Sequence, residues 1–321
     1  MRRREILGVF AGVVALWPCT GPAQQAGRTY RLGFVAQQPH TGYAVLLEEL
    51  GRLGFVEGRN LSVDPRGFSL PVEQLEATAV EVAQAQPDAI FAGGDAAARA
   101  AQRATTSIPI VAIADDVIRN RLASSLARPE GNLTGISILA SELNSKRLEL
   151  LTDMLPGVRR MAALVDPNTA PAEQLDALVE TARSRGVELS IHPAGSRQEI
   201  VPAIDAARSS GAQALNVFAS ALLNANRKLI IEQSALAQLP AIYQFPEHCA
   251  DGGLAGYGSR LSSLFRHAAG MLAKIMKGTK LTDMPVEQPI TMELCLNMQT
   301  AKALGLTIPS SLLARADEVF E

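Results

Sequence analysis

"IFAGGDAAARAAQRAT" (Ile90–Thr105) decides the fold. A short apolar run ends in two glycines, and an alanine-rich helix is predicted from Asp95. A strand that enters a helix through a glycine turn is the repeating joint of a parallel α/β sheet. Such a turn can offer bare backbone N–H groups to an anion. No lysine follows in the G-x-x-x-x-G-K-[ST] spacing of a phosphate cradle, and the acidic Asp95 stands at the mouth. Asp95 therefore reads either as a cap for its own helix or as a ligand contact.

The same joint recurs on both sides. "YRLGFVA" (30–36), "NLSVDPR" (60–66), "DAIFA" (88–92) and "IPIVAIA" (108–114) read as strands. Helices are predicted over Gly42–Leu53 and Val72–Gln84. The strands are solidly apolar rather than alternating, the pattern of a parallel sheet covered on both faces. After Gly135 the rhythm restarts. Helices are predicted over Ser141–Met154, Ala172–Arg185, Gln198–Ser209 and Asn224–Gln238. Strands are predicted at 159–166, 187–192, 212–219 and 240–245. Two α/β lobes of similar build result, and 321 residues suit two domains. The tail holds "GGLAGYG" (252–258), a helix over Leu261–Lys277 and a shorter one near Thr300–Leu304. That is too little for a third domain, and it suits a chain that crosses back and adds a piece to each lobe.

Composition narrows the function. Hydrophobic residues make up 47% of the chain and the net charge is −2, which argues against a nucleic-acid surface. The first residues read as an export signal: Arg2–Arg4, a 12-residue apolar run over Ile6–Trp17 and Gly21-Pro22-Ala23 before a cut at Gln24. Arg3-Arg4 fits a twin-arginine signal as well as the general secretory one. Cys249 and Cys295 then remain, read either as a bridge or as buried free thiols. No Cys/His spacing resembles a metal site, so no metal or other cofactor is expected. The nucleophile-elbow, zincin and dinucleotide motifs are absent, and His40, His192, His248 and His267 are scattered. No catalytic role is expected.

What remains are the turns at the carboxyl ends of the strands, where open α/β sheets bind ligands. They supply Gln37, Tyr43, Gly94, Asp95, Ala96, Asp115, Asp116, Ser137, Asn168, Phe218, Ser220, Tyr243 and Tyr257 as candidate ligand-binding residues. Helix N-termini suit a carboxylate, and Asp95, Asp115 or Asp116 suits an ammonium or hydroxyls. The aromatic residues among them read either as ligand walls or as core.

The tail "MPVEQPITMELCLNMQTAKALGLTIPSSLLARADEVFE" (284–321) closely resembles the periplasmic substrate-binding proteins of ABC transporters, tryptophan/tyrosine type. "LGFVEGRNLSV" (53–63), "SLARPEGNLTGIS" (125–137), "KRLELL" (146–151) and "GGLAGYGSRLSSLFRHAA" (252–269) extend the resemblance over the rest of the chain. Two positions depart from the family pattern. Asp95 follows the glycines where a neutral small residue or Pro is common, and Val117 follows Asp116 where Pro is common. The resemblance implies a type I periplasmic binding-protein fold, two Rossmann-like lobes with parallel sheets joined by a three-crossing hinge. It divides the chain into a signal peptide (1–23), an N-terminal lobe (28–138 plus 257–286) and a C-terminal lobe (139–256 plus 287–321). It implies a small metabolite held between the lobes, either an amino acid or an aromatic or other carboxylate-bearing compound. Its partners would be an ABC permease and a cytoplasmic ATPase, with a monomeric periplasmic binding protein delivering the ligand. A sensor feeding a signalling receptor and an exported α/β enzyme are the alternatives.

Overall fold

The computed structural model describes residues 27–129 and 131–321; the predicted signal peptide lies outside them. The first lobe is a five-stranded, fully parallel sheet in the order β2-β1-β3-β4-β5. Its strands are β1 (Tyr30–Ala36), β2 (Leu61–Val63), β3 (Ala89–Gly93), β4 (Ile110–Ala114) and β5 (Leu133–Ser137). Every residue of β4 and β5 is buried, which is why they read as continuous apolar runs. Helices α1 (Ala44–Arg52), α2 (Leu75–Gln84) and α3 (Asp95–Ala104) connect the strands. One face of the sheet packs on Leu75, Ala79 and Val82 of α2 and on Ala97, Ala98, Ala100 and Ala101 of α3. The small side chains of α3 let its backbone approach the strands closely. The other face packs on Leu46 and Leu50 of α1 and on a helix from far along the chain, described below.

The second lobe is a seven-stranded sheet in the order β12-β11-β10-β9-β8-β6-β7. It comprises α4 (Ala140–Met154), β6 (Arg160–Val165), α5 (Ala172–Ser184), β7 (Glu188–Pro193), α6 (Arg197–Ser209) and β8 (Leu215–Val217). These are followed by α7 (Ala221–Ala225), α8 (Arg227–Leu236), β9 (Ala241–Tyr243) and β10 (Ala255–Gly258). The single helix predicted over Asn224–Gln238 is in fact two, broken at Asn226, whose side chain bonds back to Leu222 O.

After β10 the chain leaves this sheet. Helix α9 (Leu261–Met276) covers the first lobe through Leu264, Phe265, Ala268 and Leu272. The segment that follows runs along β5: Ser137 N donates to Glu287 O and Glu287 N donates to Gly135 O, both at 2.9 Å. The chain then returns as β11 (Glu293–Asn297), α10 (Met298–Ala303), α11 (Ser310–Leu313) and β12 (Glu318–Phe320). Three segments thus cross between the sheets: after β5, after β10 and before β11. The β10–β11 pair is antiparallel because β11 re-enters from the other lobe, so the second sheet is mostly rather than wholly parallel. Two strands, β5 and β12, were not anticipated; both are short, and β12 carries a charge and is only partly buried.

Candidate functional site

The carboxyl ends of both sheets face each other across the crossings, and the two lobes touch there. Gly94 caps α3 with φ +103°, a conformation that glycine adopts at no steric cost. A Cβ on Gly94 would stand 2.5 Å from the Cβ of Ala221 in the opposite lobe. Beside this contact lies an enclosed cavity of about 40 Å³, lined from both lobes. A metabolite of amino-acid size needs several times that volume, since one water already takes about 30 Å³ in the liquid. The lobes must therefore part to admit one.

One side of the cavity is apolar. Tyr43, Phe91, Phe245, Phe265 and Leu261 line it, with Ile113 and Ile138. Tyr43 meets Phe91 and Phe265 edge-on at 5.3 Å, a favoured arrangement of aromatic rings. The other side is polar: Gln38, Asp115, Ser220, Asn224 and Gln244. Ser220 is fixed three ways. Its Oγ donates to Asp166 Oδ2 at 2.7 Å and accepts from Leu223 N, and its backbone N donates to Gln244 Oε1 at 3.0 Å. Asp115 is different. Its Oδ2 is buried without a partner, as is the Oδ1 of Asn224. Buried polar atoms are nearly always paired, so two orphans in one cavity mark it as built for something more.

Asp95 does not cap its helix. It is the first helical residue, and its carboxylate turns sideways to accept from Asp115 N at 2.8 Å and from Asn120 Nδ2 at 3.0 Å. The Gly94 N–H, expected to be open to an anion, donates to Ile113 O at 2.9 Å. The Asp95 carboxylate instead shapes the turn after β4 and positions Asp115. Burial, and then the charge of Asp95, push the Asp115 carboxyl well above the usual carboxylate range; Asp166 adds to this and Arg147 opposes it. Burial likewise raises Asp166, against the hydrogen bonds from Ser220 and Asn168. Arg147 on α4 is fully buried, with Nε on Tyr257 O at 2.8 Å and Nη1 on Asn144 Oδ1 at 2.5 Å. Its guanidinium, pulled below its usual range by burial, is the nearby counter-charge.

Of the candidates from the sequence, Tyr43, Gly94, Asp115 and Ser220 line this cavity, and Asp95 stands directly behind it. Ser137 is buried at the first crossing, where its Oγ accepts from Val117 N at 3.3 Å. The others lie elsewhere. Gln37 lines a groove on the rim. Ala96 is half-buried on α3. Asp116 accepts from Ile118 N and Arg119 N of its own loop. Asn168 is exposed and holds Asp166 through a 2.9 Å bond from its N–H. Phe218 and Tyr243 belong to the core of the second lobe, and Tyr257 packs against that core. Phe91, Phe265, Asn224 and Arg147 were not anticipated. Phe91 sits inside an apolar strand and Phe265 on the apolar face of an amphipathic helix, and nothing local separates them from core. Gln244 and Phe245 fall in a turn that the strand ends pointed to.

Comparison with known proteins agrees with this architecture. A Streptococcus pneumonia ABC domain solved in complex with L-Trp superposes with a TM-score of 0.78 at 20% identity, covering 91% of this chain and 100% of that one. A conserved domain protein from Vibrio cholerae superposes with a TM-score of 0.81 at 23% identity, with the same coverage. A tyrosine-binding protein from Clostridioides difficile is 24% identical over 267 residues, 83% of this chain and 76% of its own length. The family model for the ABC transporter substrate binding protein matches residues 43–320, from the Tyr43 of the cavity to the last strand, and the chain belongs to that family.

Proposed function

We propose that this substrate-binding protein captures a small amino-group-bearing metabolite, an amino acid or a close relative with an aromatic or aliphatic body, between its lobes. The observation that carries the reading is the cavity itself, with aromatic rings on one side and the unpaired Asp115 oxygen on the other. The rings remove the ligand's apolar body from water, which supplies most of the affinity. Asp115 accepts from the ligand's ammonium in a site where an unmade hydrogen bond is expensive. Both lobes contribute walls, so the ligand binds the apposed lobes better than the parted ones and shifts the equilibrium toward them. Tyrosine and L-Trp in the names of two relatives support a ligand of this size.

The protein delivers its ligand to an ABC permease driven by a cytoplasmic ATPase, working as an exported, periplasmic monomer that carries out no catalysis itself. Residues 28–138 with 257–286, and 139–256 with 287–321, serve as the two moving bodies. Gly94, Asp115 and Ser220 serve as ligand contacts, with Tyr43 in the aromatic wall. Calorimetric titration and thermal melting with a panel of amino acids, aromatic amines, aromatic acids and sugars test the reading. A true ligand at a hundredfold excess over its Kd stabilises the fold by about 2.7 kcal/mol. Silence across the panel, or a response confined to sugars, would sink it.

A further inference from the structure

We propose that the interlobe cavity selects an organic cation, an aromatic or aliphatic amine without a carboxylate, over the zwitterionic amino acid of the same skeleton. The inference rests on the reading of this cavity as the ligand site and refines what the site accepts.

The charge around the cavity is one-sided. Among the residues that line it, Asp115 is the one charged group, and none is Lys, Arg or His. Asp95 stands behind it, bonded to the Asp115 backbone, and Asp166 reaches the wall through Ser220. Both orphaned atoms that face the cavity, Asp115 Oδ2 and Asn224 Oδ1, are acceptors. An ammonium brings up to three N–H donors and no acceptor, which answers both. The rings of Tyr43, Phe91, Phe245 and Phe265 present electron-rich faces to a cation as well as apolar surface to a hydrocarbon body. A cation beside Asp115 also relieves the repulsion that Asp95 and Asp166 impose on it.

A carboxylate on the same ligand finds no such partner. The Gly94 N–H at the start of α3 is already donated to Ile113 O, and the Asp95 carboxylate occupies that first turn. At the opposite wall, the Leu223 N–H is taken by the Ser220 hydroxyl. Arg147 is fully buried behind the wall, with Nε and Nη1 committed to Tyr257 O and Asn144 Oδ1. A ligand carboxylate would therefore lie against Asp115 and Asp95 with water excluded, where like charges repel strongly.

The test is a set of matched titrations of the purified protein. Phenethylamine, phenylalanine and 3-phenylpropionate form one series, tyramine and tyrosine a second, tryptamine and tryptophan a third, and isoamylamine and leucine a fourth. In the series that binds, the amine should bind at least tenfold more tightly than the amino acid, and 3-phenylpropionate should not bind. An amino acid that binds as tightly as its amine or more tightly overturns the cation preference and leaves the amino-acid site standing. Failure of every probe to bind removes the site reading and this inference with it. Asp115→Asn, checked for folding by its melting curve, should bring the amine-to-amino-acid ratio close to one. An unchanged ratio in the folded variant shows that Asp115 does not set it and also overturns the inference.

Discussion

Two spaces open between the lobes, and the smaller is the better candidate. The groove on the rim, between Gln37 and Ser69–Glu73 of one lobe and Ser196–Glu199 of the other, holds about 700 Å³; the cavity beside Gly94 holds about 40 Å³. Polar groups in the groove are served by their neighbours. Arg197 Nη1 donates to Asn226 Oδ1 at 2.6 Å, and Glu199 Oε2 accepts from Gly195 N at 2.7 Å. In the cavity, Asp115 and Asn224 each keep an unpaired oxygen away from water. An unmade hydrogen bond matters little where water can complete it and a great deal where water cannot reach. Enclosure and unmet bonding, more than volume, identify the place where a ligand would be discriminated.

Acid should separate the two spaces most. His248 is buried behind the cavity wall, stacked on Phe245 at 5.8 Å and on Tyr243 at 5.5 Å. Burial pushes its ring down to about 4. A folded-state value below the unfolded one means that the stability this neutral ring contributes is fully present above about pH 6.5 and is lost as pH falls toward 4. The loss is roughly 3 kcal/mol. Denaturant melts at pH 7 and pH 4.5 should show it, and His248→Phe should lose about that much less than the wild type. Equal losses in the two proteins would rule the ring out as the source.

Next in size is the charge of the cavity. Asp115→Asn should weaken ligand binding about a hundredfold, or about 2.7 kcal/mol, in isothermal titration. A comparable effect from the groove would dissolve the contrast between the two spaces. Gly94→Ala should lower stability by about 1–2 kcal/mol, because φ +103° is strained for any Cβ and the new methyl meets Ala221. An unchanged melting temperature would mean that the turn relaxes freely. The smallest effect belongs to the groove: Glu73→Gln and Glu199→Gln should each change affinity less than twofold, and a tenfold loss from either would move the site outward.

Sequence legibility followed the range of each interaction. The apolar runs of β1, β3 and β4 and the glycine turn before α3 are local features, and they declared two α/β lobes. The turns also brought Tyr43, Gly94, Asp115 and Ser220 forward, because strand ends are where such sheets bind ligands. Phe91 and Phe265 stayed hidden, since a ring that faces a cavity and one that faces core obey the same period. Arg147 stayed hidden because its partners lie at Asn144, three residues away, and at Tyr257, 110 residues away.

The stretch from Ile90 to Thr105 shows where the division falls. By itself it determined a strand, a glycine turn, a helix and a charge at the turn, since backbone preference and apolar spacing act within a few residues. Only the tertiary structure decided that Asp95 looks sideways to Asp115 rather than along its own helix. That choice depends on the turn after β4, 20 residues on, which competes for the carboxylate in a space closed to water.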